Sequence, residues 1–183
     1  MTLRRGFKTE AKQLAAEIRS ELGLSPIDPL DPKALAEHLA IDILPLSDFR
    51  EEAPAVMHFL EEGVGVFSAI TIFFDTARII IHNDRHSEGR QRSNLAHELA
   101  HALLQHQPMP LFSDLGLRHF NKDMEDEANW LSGTLLVSEQ AALHIARSEI
   151  EVNSAAELYG VSTKMLQYRL NVTGAYKRVA AMR

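Results

Sequence analysis

The chain contains no cysteine, which removes disulfide stapling, thiolate metal ligands and thiol nucleophiles from consideration. Glycine and proline number only 9 and 7 in 183 residues, too few for a collagen-like or low-complexity chain. Mostly apolar stretches such as Ala69–Phe74 are far too short to span a bilayer. The N-terminal sequence MTLRRGFKTE lacks the apolar core of a secretion signal, so a cytoplasmic protein is expected. A net charge of -6 argues against a mainly nucleic-acid-binding protein, although from Ser154 onward five Lys or Arg stand against one Glu. A hydrophobic fraction of 45% is enough for one compact core. Any chemistry must come from histidines, carboxylates and hydroxyls.

Helical spacing of Phe7, Ala11, Leu14, Ile18 and Leu22 predicts a helix that stops at Gly23. Asp31-Pro32 reads as an N-cap followed by proline at the first helical position, opening a short helix to Leu39. Ile41–Leu46 looks extended, and residues 50–63 have no clear pattern. β-Branched and aromatic residues in Val64–Phe74 and Arg78–His82, separated by Asp75-Thr76-Ala77, predict an antiparallel hairpin. Ser87 is positioned to cap a long helix reaching about His106, with Pro108 and Pro110 beyond it, and Asn121 to cap another through Leu136. Three short helical patterns follow, at Glu139–Ser148, Ser154–Tyr159 and Thr163–Leu170, with Ser154 and Glu157 spaced as a capping box. The expected class is α+β, with a small antiparallel or mixed sheet between helices.

The strongest chemical signal is His97-Glu98-Leu99-Ala100-His101, an HExxH motif inside a helical pattern. Four-residue spacing puts both imidazoles on one helix face, within reach of one ion. Zinc suits neutral imidazoles in a cysteine-free site, although manganese or iron also occupies such donor sets. Glu98, beside the first histidine, is placed to take a proton from water and pass it to a leaving amine, which is the chemistry of peptide hydrolysis. Residues 104 and 107 are Leu104 and Gln107, so no third histidine follows at HExxHxxGxxH spacing. A carboxylate from the next helix is therefore expected as third ligand. Glu127 is in phase with the apolar residues Met124, Leu131 and Leu135, whereas Asp123 ranks second and Glu125 points elsewhere on the same helical wheel.

These residues resemble the ImmA/IrrE family of metallo-endopeptidases. The likeness rests on Arg90-Gln91-Arg92, the run Leu95–His101, Leu103-Leu104, His106, Glu127-Ala128-Asn129 and Leu135-Leu136, and it extends to the Asp31-Pro32 helix and to Tyr159–Ser162. It implies a zincin-like domain holding one Zn2+ through His97, His101 and Glu127, with Glu98 as the catalytic acid/base. It also implies a protein substrate of the helix-turn-helix repressor type. Ala100 stands where the family commonly has glycine, and Ser138 where proline often follows the Leu-Leu pair.

Around this set, His106 reads as a helix-end residue, or as a group that supports a ligand from behind, and not as a ligand itself. Backbone pairing near Ile79–Asn83 is an expected way to hold an extended substrate. His86, His119 and Tyr159 are candidates for stabilising an oxyanion, while Arg90 and Arg92 are candidates for binding a carboxylate or for ordinary ion pairs. The division expected is a peptidase domain, residues 1–137, followed by a helix-turn-helix-like subdomain, residues 138–183. In the tail, Leu158, Val161, Met165, Leu166 and Leu170 are the expected core. Lys164, Arg169, Lys177 and Arg178 supply the charge for an alternative reading, a non-proteolytic regulatory module that binds a repressor or DNA. DNA contact is the less favoured role, and no membrane contact is expected.

Overall fold

The computed structural model describes residues 3–61, 63, 65–74, 77–106 and 121–182. Helix α1 (Phe7–Glu21) follows Gly6, whose φ of 87° turns residues 3–5 back over the helix start. It ends at Gly23, also left-handed, where Leu24 N donates to Arg19 O at 2.8 Å. Helix α2 (Pro32–His38) is capped as its sequence anticipates, the Asp31 carboxylate accepting from Lys33 N. Strand β1 (Asp42–Pro45) leads through a 3-10 turn (Leu46–Phe49) into the short helix α3 (Val56–Leu60).

Strands β2 (Ala69–Phe74) and β3 (Ala77–His82) pair antiparallel, as the hairpin pattern predicts, while β1 pairs parallel to β3. The sheet order is β1-β3-β2, which makes β3 central and β2 an edge. Residues Ile79–His82 are therefore already paired on both sides, and the expectation that this stretch receives a substrate strand is corrected: among the described residues the edge strands are β1 and β2. Asp75 and Thr76 lie outside the described residues, as do Pro108, Pro110 and His119.

Helix α4 (Glu88–Leu103) carries the HExxH segment and α5 (Lys122–Leu136) packs along it. Ser87 makes no side-chain cap, whereas Asn121 Oδ1 accepts from the amides of Asp123 and Met124. The tail forms α6 (Glu139–Arg147), α7 (Val152–Leu158), α8 (Thr163–Val172) and α9 (Ala175–Ala180). The start of α7 is capped by Glu151, which accepts from Ser154 N at 2.9 Å, and not by the Ser154/Glu157 box.

Two buried clusters result. One joins α1, α2, β3, α4 and α5 through Phe7, Ile18, Leu35, Ile80, Leu99 and Leu131. The other joins α6–α9 to Leu136, Val137 and the back of α4 at Ala96. Leu166 and Leu170 are buried in it as expected, but Leu158 is 59% exposed and is not core. Among the described residues no helix is long and apolar enough to cross a membrane.

Candidate metal centre

His97 and His101, one turn apart on α4, turn their Nε2 atoms toward each other at 3.1 Å. Glu125 of α5 closes the triangle, its carboxylate oxygens 3.2 Å from His97 Nε2 and 3.5 Å from His101 Nε2. These three form a group whose donor atoms all lie within 4.8 Å of one another. Tetrahedral ligands 2.0–2.1 Å from a zinc ion stand about 3.3 Å apart, which the three separations bracket. With side chains 23%, 21% and 32% exposed, the group is reachable from solvent. The donor set, two imidazoles and one carboxylate, fits zinc.

The electrostatics agree with that fit. Burial pushes His97 toward its neutral form, but Glu125, Glu98 and Asn129 outweigh it and leave its pKa above the ordinary value. His101 is pushed down to about 4 by burial and by the neighbouring His97, against the pull of Glu125. Two ring nitrogens facing each other with a carboxylate alongside make a negative, electron-rich corner where a dication replaces a shared proton.

The third position differs from the Glu127 expected above. Glu127 is turned away from the Nε2 pair: one oxygen lies 3.5 Å from His106 Nε2 and the other accepts from Arg4 Nε at 2.8 Å. Helical phase picks out Glu127 only if α5 has one apolar face and that face meets α4. In fact α5 is buried nearly all round from Ala128 onward, and the Leu131 and Leu135 side is shared with α1. The side toward the histidines carries Glu125 and Asn129, four residues apart, with the small residues Ala128 and Ser132. That polar-plus-small stripe is the signal that locates Glu125. Asp123, the second candidate, is exposed in the first turn.

Glu98 points to the sheet, where Thr71 Oγ1 of β2 donates to its Oε2 at 2.5 Å. Sequence reasoning did not pick out Thr71, which sits in a β-branched strand pattern with nothing to mark it. His106 lies outside the Nε2 triangle, as expected: its Nδ1 is 2.9 Å from His101 Nδ1.

The other singled-out residues are tied elsewhere. Asn83 donates to Phe59 O and Phe67 O, and the His86 ring meets Asn94 at 3.2 Å. The Tyr159 hydroxyl donates to Ile27 O at 2.6 Å, which fixes it on the loop before α2, away from oxyanion duty. Arg90 donates to Ser68 Oγ. Arg92 binds Asp31 and Leu30 O, and Gly160, with φ of 60°, leaves room for its guanidinium where a β-carbon would clash. In the tail, Arg169 is buried with Nε on Val137 O, and Arg178 pairs with Glu139 at 2.6 Å, while Lys164 and Lys177 stay exposed.

The family model for Peptidase_M78, the IrrE N-terminal-like domain, matches residues 58–171, a span that includes β2, β3, α4 and α5. No curated protein and no solved structure matches the chain.

Proposed function

Because the chain belongs to the ImmA/IrrE family of peptidases, we propose that it is a zinc-dependent endopeptidase whose ion is held by His97, His101 and Glu125 and whose acid/base is Glu98. The observation that carries this reading is the convergence of three donors from two helices, with Glu98 on the same helix and Thr71 fixing one of its oxygens. When bound there, zinc acts as a Lewis acid toward a peptide carbonyl and lowers the pKa of water.

The chain's own residues do the rest. Strand β2, an edge of the sheet among the described residues, offers backbone donors and acceptors to a substrate in extended form, next to Glu98. Glu98 accepts a proton from the attacking water and returns it to the leaving nitrogen. Thr71 donates to the ionised carboxylate and so keeps it in one orientation between the two transfers. The substrate proposed is a helix-turn-helix repressor, following the family resemblance, and a cytoplasmic setting follows with it.

Glu98→Gln is the test. The variant keeps its metal, since Glu98 is outside the donor group, and loses cleavage by at least about 100-fold. The assay reads new termini by mass spectrometry, first on a peptide library and then on a repressor encoded near this gene. A Gln variant that cleaves like the parent overturns the mechanism. Cleavage of the library but not of the repressor retains the peptidase and discards the substrate.

A further inference from the structure

The metal triangle does not end at its ligands. His101 Nδ1 lies 2.9 Å from His106 Nδ1, His106 Nε2 lies 3.5 Å from Glu127, and the far oxygen of Glu127 accepts from Arg4 Nε at 2.8 Å. We propose that Arg4, Glu127 and His106 form a positioning relay that fixes the tautomer and ring orientation of His101 for metal binding. The proposal rests on His101 being a ligand, as read above, and it adds residues that lie outside the donor group. Arg4 also lies outside the span 58–171 matched by the family model.

The chemistry permits one consistent set of protons. A metal on Nε2 of His101 needs that nitrogen's lone pair, so the proton is on Nδ1, which donates to Nδ1 of His106. The His106 proton is then on Nε2, facing the Glu127 carboxylate. Glu127 is held in turn by a cation, so every donor in the chain meets an acceptor. Reversing any one tautomer would put two lone pairs or two protons face to face.

The fold builds both ends deliberately. His106 comes back toward His101 because Gln105 adopts a left-handed φ of 53° at the end of α4, and His106 N donates to His101 O at 3.0 Å. Arg4 is brought over α5 by the Gly6 turn, rests its guanidinium 5.0 Å from the Phe7 ring, and binds Glu10 with Nη2 at 2.7 Å. Its side chain is 52% exposed. An exposed pair of this kind adds little to stability, so its effect is expected on the ligand that it orients.

The experiment measures zinc and cobalt affinity of the full chain, stripped of metal and titrated against a chromophoric chelator. Arg4→Ala and Glu127→Gln should each weaken binding about 10- to 100-fold. Arg4→Lys should recover part of the loss, and the thermal midpoint of the metal-free protein should be unchanged by Arg4→Ala. Long-range proton–nitrogen NMR of the zinc-loaded parent should show His101 protonated on Nδ1, with that signal broadened or lost in Glu127→Gln. Glu125→Ala and His101→Ala serve as references and should lose the metal altogether. If Arg4→Ala and Glu127→Gln bind like the parent while the references lose metal, the relay is overturned and the metal centre stands. If His101→Ala itself binds like the parent, the ligand assignment fails, and the relay with it.

Discussion

Arg169 is a cation kept where water is not. It is 2% exposed, its Nε donates to Val137 O at 3.1 Å, and its guanidinium lies 5.6 Å from the Trp130 ring. Burial lowers its pKa to about 10, so it stays charged at neutral pH and stabilises the carbonyl end of α5. Arg169→Ala removes that cap together with the packed stem, and should cost about 2–4 kcal/mol in urea unfolding. Lys164→Ala, on the exposed side of α8, should stay within about 0.5 kcal/mol. A DNA-binding test must therefore use Lys164 and Lys177, since losing Arg169 would weaken the fold itself. The same scale explains what was readable in advance. The meeting of His97 and His101 was legible because it follows from four-residue spacing along one helix. The position of Glu125 beside them was not, because it depends on which side of α5 meets α4, and a helix covered on several sides gives no single apolar face to count from. Arg169 read as surface charge for the converse reason: composition cannot tell a basic residue that snorkels to water from one that caps a buried helix end.

The central strand shows the same division between local and remote information. The β2–β3 hairpin was legible from two runs of β-branched and aromatic residues with a short polar break between them, and α1, α2, α4 and α5 from their helical periodicity, with caps at Asp31 and Asn121. The parallel pairing of β1 with β3 was not, because its partners are distant in sequence and no turn residue signals them. Nor were α3 and α9, at five and six residues too short to show a helical period. His82, at the end of β3, is 4% exposed, and its Nδ1 has no hydrogen-bond partner among the described residues. It borders a cavity of about 430 Å³ that Lys33, Glu37, Asp42, Asp84 and Gln91 also line. Burial lowers its pKa, Asp84 opposing and Lys33 and His86 assisting. A histidine held neutral in the fold but free to charge when unfolded makes the unfolded chain bind more protons as pH falls. Its contribution to stability is thus complete above about 6.5 and is lost as the pH falls through the lower folded value. His82→Gln should shrink the drop in thermal midpoint between pH 7.5 and pH 5.5, read by circular dichroism. The other buried histidines contribute equally to both proteins and cancel in that comparison. An identical drop in parent and variant would show that His82 is not held neutral by the fold.

At the scale of the whole molecule, the span matched by the peptidase family and the unit that folds need not coincide. Residues before 58 place Phe7, Ile18, Leu30, Leu35 and Ile41 in the same buried cluster as Leu95 and Leu99 of α4 and Leu131 of α5. They also hold those helices and the start of α6 by polar ties: Arg19 Nη2 donates to Leu135 O at 2.6 Å, Arg92 Nη2 to Leu30 O at 2.9 Å, and the Ser138 hydroxyl, at the N-cap of α6, to Pro26 O at 2.7 Å. Beyond 171, Ala175 and Val179 complete the second cluster. Burying one large apolar side chain stabilises by about 1.5–3 kcal/mol, so the five named above contribute roughly 10 kcal/mol, comparable with the whole net stability of a domain, about 5–15 kcal/mol. A fragment limited to residues 58–171 should therefore show no cooperative thermal transition, should bind a hydrophobic dye, and should hold zinc far more weakly than the full chain, which should melt in one transition. A fragment that melts cooperatively and binds zinc like the parent would mean that the N-terminal helices only cover the domain. The ties of α1 to the backbone of α5, and of Leu30 and Asp31 just before α2 to Arg92 of α4, argue the opposite, because the close approach of α4 and α5 is what brings Glu125 to the two histidines.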